Sequence, residues 1–232
     1  LYFIPPISSL GPSNLPTILL FKTVPVGGTA ITHVCDVTSV EEVRSLRERA
    51  IKEFGEIDAL YVVPGINIRK RIEDYSYEEF DKVVNVNLKG TFILLKEIGT
   101  KMGRNGKGGS IIVISSIRSV VTEPGQGVYA ATKAAEVQLA RTLAAEIGKY
   151  NVRVNVIAPG VIDTPLTEQI KKDKEWYEAY ANKSPFKRWG RIKEVVGPAL
   201  FLATDVASFI TGAVIFVDGG WTAIDGRYEP KL

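Results

Sequence analysis

Three residues in the middle of the chain have the types and spacing needed for proton transfer. Tyr129 and Lys133 are four residues apart in "VYAATKAA", so their side chains share one face of a predicted helix. A cation near a phenol favours the phenolate, which makes such a pair a proton donor and acceptor. Ser116 lies 13 residues before Tyr129, at the end of a predicted strand, and its hydroxyl could hold a substrate oxygen. The Tyr-Lys pair alone is an ordinary helix-surface feature; the strand-end serine favours a catalytic site.

Strand and helix signals alternate from residue 29 onward and must position these side chains. Apolar runs predict strands within residues 29–36, 58–65, 106–116, 152–160 and 212–220. Helices are predicted after two capping boxes, Ser39 with Glu42 and Ser76 with Glu79, and over residues 127–149 and 192–204. Apolar strands with helix-length connections predict an α/β fold, a Rossmann-like doubly wound parallel sheet forming a single domain over residues 1–232.

In such a sheet the ligand crevice lies outside the carboxyl ends of the strands, where the strand order reverses. This rule selects the strand-end residues Asp36, Pro64, Gly65, Ser115, Ser116, Pro159, Gly160 and Asp218.

Composition excludes several classes of function. The net charge is +3, and basic residues alternate with acidic ones, so we expect solvated helix faces and no nucleic-acid partner. A single cysteine, Cys35, fits a reducing cytoplasm and is expected to be a small buried hydrophobe. The only histidine, His33, has no ligand at metal-site spacing, so no metal is expected. We find no candidate membrane span or signal peptide and expect no membrane partner.

Residues 29–221 resemble the short-chain dehydrogenase/reductase family. Ser116, Tyr129 and Lys133 match the catalytic triad of that family, and Asn87 in "VNVNLKGTF" matches its fourth member, which supports a water-borne proton relay. The resemblance implies that Tyr129 is the general acid/base, that Ser116 orients the carbonyl or alcohol, and that Lys133 stabilises the phenolate and holds the nicotinamide ribose. It also implies a homo-oligomer, a tetramer or a dimer, formed through helices at about 76–102 and 127–149.

The same resemblance implies NAD or NADP as cofactor. The matching cofactor-binding positions are Asp36, Val37, Gly65, Tyr129, Lys133, Pro159, Gly160, Ile162 and Thr164. Residues 165–189 match a mobile substrate loop. Its aromatic residues would line a pocket or pack in a core: Trp176, Tyr177, Tyr180, Phe186 and Trp189. "PGINIRKRIEDY" and "IFVDGGWTA" resemble the gluconate 5-dehydrogenase subgroup, which implies a sugar acid or polyol as small-molecule substrate.

Two departures from the family pattern affect the cofactor site. Val62-Val63-Pro64-Gly65 stands where the family has Asn-Asn-Ala-Gly. The glycine fingerprint T-G-x-x-x-G-x-G, expected between the first strand and the first helix to bind a pyrophosphate, does not occur there. Residues 1–28 form an atypical segment whose only charge is Lys22, with strands expected in "LYFI" and "TILLF" and an extended loop between them.

Three explanations remain open for residues 1–28: an altered start of an ancestral gene, a dehydrogenase with an unusual phosphate site, or a non-catalytic descendant. The leading hypothesis is an NAD(P)-dependent oxidoreductase that transfers hydride between nicotinamide and a carbonyl or secondary alcohol, with impaired cofactor binding. The alternative is a cofactor-poor homologue that acts as a small-molecule-binding or structural protein.

Overall fold

The computed structural model describes the backbone of residues 17–23 and all of residues 28–225. Its strands are β1 (Thr17–Thr23), β2 (Gly28–Val34), β3 (Ala59–Val62), β4 (Gly109–Ile114), β5 (Val152–Pro159) and β6 (Val214–Val217). Its helices are α1 (Val40–Phe54), α2 (Tyr77–Val84), α3 (Gly90–Glu97), α4 (Gly127–Ile147), α5 (Glu168–Lys171), α6 (Lys174–Lys183) and α7 (Ile192–Ala203). Short 3-10 turns connect several of them. The strand predicted in residues 1–4 and the loop that follows it lie outside the described residues.

Strands β3 to β6 form a parallel sheet in the order β3-β4-β5-β6. Successive side chains of a strand point to opposite faces. Ser110 of β4 donates its hydroxyl to the Leu202 carbonyl of α7 at 2.8 Å. The next residue, Ile111, lies on the other face, beside Gly99, which follows α3, and near Leu143 of α4. Helices therefore cover both faces, which confirms the Rossmann-like α/β prediction.

The strand predicted in "TILLF" is present as β1, but it does not fill the central place that the first strand has in the family's sheet. β1 pairs antiparallel with β2, with Thr17 opposite Val34 and Thr23 opposite Gly28. Only residues 24–27 connect the two strands, and a parallel pair needs a crossover of about a dozen residues. Within the described part of the chain, β3 is consequently an edge strand, and the four-stranded sheet contains no reversal of strand order.

The two predicted capping boxes differ in the structure. At Ser76 the box is complete: the hydroxyl accepts from the Glu79 N–H at 3.2 Å, and the Glu79 carboxylate accepts from the Ser76 N–H at 3.0 Å. At Ser39 only the hydroxyl half forms, because Glu42 accepts instead from the Asp36 N–H at 2.7 Å. Glu42 thus joins the end of β2 to the first turn of α1.

The long helix predicted after Ser76 is two helices, α2 and α3, joined by a π-helical turn at Asn85–Lys89. The main core lies between the sheet and helices α1, α3, α4 and α7. Cys35 is fully buried in this core, and burial raises the pKa of its thiol to about 12. The expectation of a small buried hydrophobe is confirmed.

Candidate active site

The predicted catalytic side chains lie at the carboxyl edge of the sheet, where β4 ends beside α4. Ser115 donates its hydroxyl to the Lys133 carbonyl at 2.8 Å, which holds α4 against the end of β4. The Lys133 Nζ lies 5.7 Å from the centre of the Tyr129 ring, so helical spacing has brought the pair together. Ser116 begins the short turn Ile117–Ser119, which packs against α4.

The hydroxyl groups of Ser116 and Tyr129 are available to a ligand. Ser116 Oγ accepts from the Arg118 N–H at 3.1 Å, an interaction that leaves the hydroxyl proton unused. Within residues 28–225, no protein group hydrogen-bonds to the Tyr129 hydroxyl. Both residues are 9% exposed, so each hydroxyl is largely shielded from bulk water. A carbonyl or alcohol oxygen could accept from one hydroxyl and exchange a proton with the other.

Lys133 is almost fully buried and carries a carboxylate partner that the sequence analysis did not select. Its Nζ donates to both oxygens of Glu136, at 2.9 and 3.0 Å, and to the Ile114 carbonyl at 3.2 Å. Burial opposes the ammonium form, but the attraction of Glu136 and Tyr129 outweighs it and raises the pKa of Lys133. Burial also raises the pKa of Glu136, to about 7, although Lys133 acts in the opposite direction.

Asn87 is fully buried in the π-helical turn and connects the loop after β3 with α4. Its Oδ1 accepts from the Ile66 N–H at 2.8 Å, and its Nδ2 donates to the Ile66 carbonyl at 3.0 Å and to Thr132 Oγ1 at 3.1 Å. Thr132 directly precedes Lys133. The Asn87 side chain therefore braces the site, and its amide groups are occupied by protein partners.

The other predicted cofactor-binding residues fall into two groups. The first group, Gly65, Pro159 and Gly160, lies at the edge of the sheet that carries the catalytic pair. A Cβ added at Gly65 would lie 3.4 Å from the Lys133 Nζ, so the loop after β3 passes directly over this ammonium. Pro159 ends β5 at the same edge of the sheet. A Cβ at Gly160 would lie 2.8 Å from the Cα of Asp218, so this glycine is required by the approach of the chain after β6.

The residues of the second group make hydrogen bonds or packing contacts within the protein; they are Asp36, Val37, Ile162 and Thr164. Asp36 Oδ1 accepts from both the N–H and the hydroxyl of Thr38, at 2.8 Å each. Val37 is buried against Gly90, and Ile162 is buried against Gly190. Thr164 begins the turn Pro165–Thr167, and its N–H donates to the Thr167 hydroxyl at 3.1 Å. These contacts explain the residues structurally and leave a cofactor role a prediction.

Polar side chains gather around Glu123 in an arrangement that no sequence pattern indicated; we call it the Glu123 cluster. Arg69 donates to one of its oxygens at 3.0 Å, and Arg118 forms an ion pair with the other at 2.9 Å. Gln126 and Tyr180 also donate to Glu123. Burial raises the pKa of Glu123, but these hydrogen bonds and charges outweigh burial and lower it. The cluster joins the loops after β3 and β4 to α6. It therefore lies at the carboxyl edge of the sheet, as Ser116 does.

The aromatic residues predicted in the substrate loop are divided between a core and a cleft. Tyr177 and Trp189 stack with ring centres 4.7 Å apart, and Tyr180 contacts Trp221 edge-on at 5.3 Å. Together with Ile170 they form a second, smaller apolar cluster. Tyr180, Trp189, Trp221 and the exposed Phe186 also line a cleft of about 230 Å³. Both interpretations of these aromatics therefore hold.

Acidic, histidine and cysteine side chains form no group suited to metal binding in the part of the chain that the structure describes. No helix among the same residues has the length and apolar character of a membrane span.

Residues 22–222 match a family model described as enoyl-(acyl carrier protein) reductase. The chain is 36% identical over 193 residues to a 3-oxoacyl-(acyl-carrier-protein) reductase of Thermotoga maritima, covering 83% of this chain and 77% of the relative. It is 34% identical over 202 residues to 2-dehydro-3-deoxy-D-gluconate 5-dehydrogenase of Dickeya dadantii, covering 87% and 80%. Among solved structures, a gluconate 5-dehydrogenase from Burkholderia cenocepacia, in complex with NADP and tartrate, matches with a TM-score of 0.78 at 31% identity, covering 82% of this chain and 74% of that one.

Proposed function

The chain belongs to the short-chain dehydrogenase/reductase family, and we propose that it oxidises a sugar acid or a related polyol to the corresponding ketone, and reduces that ketone, with a nicotinamide cofactor. The observation that carries the proposal is a pair of available hydroxyls: that of Ser116, directly after β4, and that of Tyr129, whose ring centre lies 5.7 Å from the buried Lys133 Nζ.

In the proposed reaction the protein moves a proton and orients the substrate. Ser116 donates its unused hydroxyl proton to the substrate oxygen and fixes its direction. The Tyr129 hydroxyl gives a proton to this oxygen during reduction and accepts one during oxidation. Lys133, 5.7 Å from the ring centre, stabilises the phenolate that remains after reduction. A bound nicotinamide supplies or accepts the hydride.

The residues present fit the nicotinamide end of a dinucleotide. A Cβ at Gly65 would lie 3.4 Å from the Lys133 Nζ, so the glycine allows the loop backbone to approach the ammonium closely. Tyr129, Lys133, Gly65 and Pro159 lie at one edge of the sheet and would hold the nicotinamide and its ribose.

The pyrophosphate end fits less well. Phosphate binding at a helix N-terminus depends on free backbone N–H groups and on the positive end of the helix dipole. The helix N-terminus that the glycine fingerprint would open falls within residues 1–28, where that fingerprint does not occur. This favours impaired dinucleotide binding and keeps a second candidate function, a cofactor-poor protein that binds a small molecule.

An anionic substrate is supported by the Glu123 cluster. Two arginines face a single carboxylate there, so the cluster carries one unbalanced positive charge. Arg69 retains 23% exposure of its side chain, while Arg118 is 6% exposed. Arg69 can therefore pair with a substrate carboxylate, since guanidinium binds carboxylates through two parallel hydrogen bonds. This supports the sugar-acid class.

Calorimetric titration of the purified protein with NAD and with NADP is the first test, followed by turnover of gluconate and sorbitol with each cofactor. We expect measurable binding and oxidation of gluconate. Tyr129→Phe should lower turnover about 100-fold or more, whereas Tyr77→Phe, at an exposed tyrosine of α2, should not change it. Full turnover in Tyr129→Phe would refute the acid/base role. If neither dinucleotide binds, the proposed dehydrogenase activity is overturned, and the second candidate, a cofactor-poor protein that binds a small molecule, is favoured.

We further propose that the protein self-associates and acts in the cytoplasm. Large apolar side chains are exposed on α2 and beyond α7, including Tyr77 at 88% and Phe209. Exposed apolar patches mark association surfaces, which supports a homo-oligomer. Light scattering after size-exclusion chromatography measures its mass. The reduced, buried Cys35 is compatible with a cytoplasmic location, which fractionation of cells would test.

A further inference from the structure

Glu136 is a fully buried acidic group that the proposed mechanism does not use. It follows Tyr129 by seven residues and Lys133 by three, so all three side chains lie on one face of α4. Glu136 is fully buried, and both of its carboxylate oxygens accept from the Lys133 Nζ. A carboxylate in such a place needs a partner, because an unpaired buried charge is strongly destabilising.

The hydrogen bonds of Lys133 are fully used. An ammonium group has three N–H donors. In this structure three oxygens surround the Nζ, two from Glu136 and one from the Ile114 carbonyl of β4. The Tyr129 ring lies beside the same ammonium, 5.7 Å from the Nζ, without a hydrogen bond to it. Lys133 is thus shared between a carboxylate in direct contact and a phenol farther away.

The two acidic groups compete for one positive charge. An ionised Glu136 neutralises much of the field that Lys133 exerts at the Tyr129 hydroxyl, because in a buried site the interaction of charges is poorly screened. Replacement of the carboxylate by an amide keeps an acceptor for the Lys133 ammonium but removes the competing charge, so the field of a protonated Lys133 then favours the phenolate.

We infer that Glu136 is a positioning residue: it holds the Lys133 ammonium against β4 and controls how much of its charge reaches the Tyr129 hydroxyl. The inference rests on the proposed acid/base role of Tyr129. It concerns a residue that belongs to neither the catalytic nor the cofactor-binding positions of the sequence analysis.

Lys133 and Glu136 are influenced mainly by each other and by Tyr129. Among the described residues, the charge acting on the Glu136 carboxyl is that of Lys133, and the charges acting on Lys133 are those of Glu136 and Tyr129. β4 contributes the neutral Ile114 carbonyl, and the loop after β3 contributes Gly65. A change in the titration of Tyr129 on substitution of Glu136 can therefore be assigned to the Lys133–Glu136 pair.

The test is an ultraviolet titration of the Tyr129 phenol, which requires neither substrate nor cofactor. The tyrosinate absorption of each protein is measured against the same protein carrying Tyr129→Phe, and the difference isolates Tyr129. In Glu136→Gln we expect the midpoint at a pH about one unit lower than in the unaltered protein. In Glu136→Asp, which keeps the charge on a shorter side chain, we expect an intermediate midpoint. If Glu136→Gln does not fold, Glu136→Asp carries the test with the same direction.

An unchanged or higher midpoint in either variant would overturn the inference and leave Glu136 a structural residue. Glu146→Gln, at an exposed site on the same helix, removes the same charge and should not move the midpoint. Because the titration is independent of turnover, loss of the proposed activity and failure of this inference give separate results. If turnover is present, its pH profile for alcohol oxidation should shift to lower pH in Glu136→Gln.

Discussion

Asn87 donates through Nδ2 to Thr132 Oγ1 at 3.1 Å, and this bond ties the π-helical turn to the residue before Lys133. The Oδ1 of the same side chain accepts from the Ile66 N–H. One buried amide therefore fixes the loop after β3 relative to the helix that carries both Tyr129 and Lys133.

Asn87→Ala should destabilise the protein by about 1–3 kcal/mol, because it leaves partly buried backbone groups of Ile66 without their side-chain partner. Denaturant unfolding measures the change. Asn85→Ala is the matched control, since Asn85 is exposed in the same π-helical turn, and it should change stability by less than about 0.5 kcal/mol. Equal effects of the two variants would contradict the bracing role of Asn87.

Glu123→Gln should lower stability at neutral pH by about 1–3 kcal/mol, because Arg69 and Arg118 lose their charged partner. The pKa of Glu123 is lowered in the folded protein. Its contribution is thus present above the pKa of the unfolded chain and is lost as the pH falls through the folded pKa. Unfolding measured from pH 7 downward should show the two proteins converging in acid. Glu73→Gln, in an exposed pair with Arg71, should change little at any pH.

Arg69→Gln should reduce kcat/KM for gluconate about tenfold or more while changing that for the neutral polyol sorbitol much less. The reason is that Arg69 is the more exposed arginine of the Glu123 cluster. Lys70→Gln, at the neighbouring residue, whose ammonium pairs with Glu79 at 2.6 Å, is the control and should affect both substrates equally. Equal losses on both substrates in Arg69→Gln would remove the support for an anionic substrate.

Gly160→Ala should destabilise the protein by about 1–3 kcal/mol, because the new methyl group would meet the Asp218 backbone at 2.8 Å. Gly148→Ala offers a contrast, since a Cβ there meets nothing within 4 Å and the residue has helical backbone angles, φ −54° and ψ −33°. It should stabilise the protein by about 0.5–1 kcal/mol. Thermal unfolding distinguishes the two, and equal shifts in the same direction would contradict the close approach at Gly160.

The parts of the site that depend on local spacing could be predicted from the sequence. The contact of Tyr129 with Lys133 follows from helical spacing, and the serine caps of α1 and α2 follow from a serine three residues before a glutamate. Glu136 could have been found in the same way. It is a carboxylate on the face of α4 that Tyr129 and Lys133 define, and this face is buried.

The parts that depend on contacts between distant segments could not be predicted. The Glu123 cluster joins residues from three segments, and no local pattern reports which loops meet. The π-helical turn interrupts a continuous helical pattern around Asn87, whose partners Ile66 and Thr132 are 21 and 45 residues away in sequence. The antiparallel pairing of β1 with β2 was not predicted either, although only residues 24–27 separate the two strands.

The complete set of acceptors around Lys133 has a thermodynamic consequence. Any ligand oxygen that binds this ammonium must displace Glu136 or the Ile114 carbonyl, so binding there is an exchange of one hydrogen bond for another. The affinity gained at Lys133 is therefore a difference between two bonds of similar kind. The displaced carboxylate would remain buried without its partner. A ligand that also donates a hydrogen bond to Glu136 therefore binds more tightly than one that only offers an oxygen to Lys133.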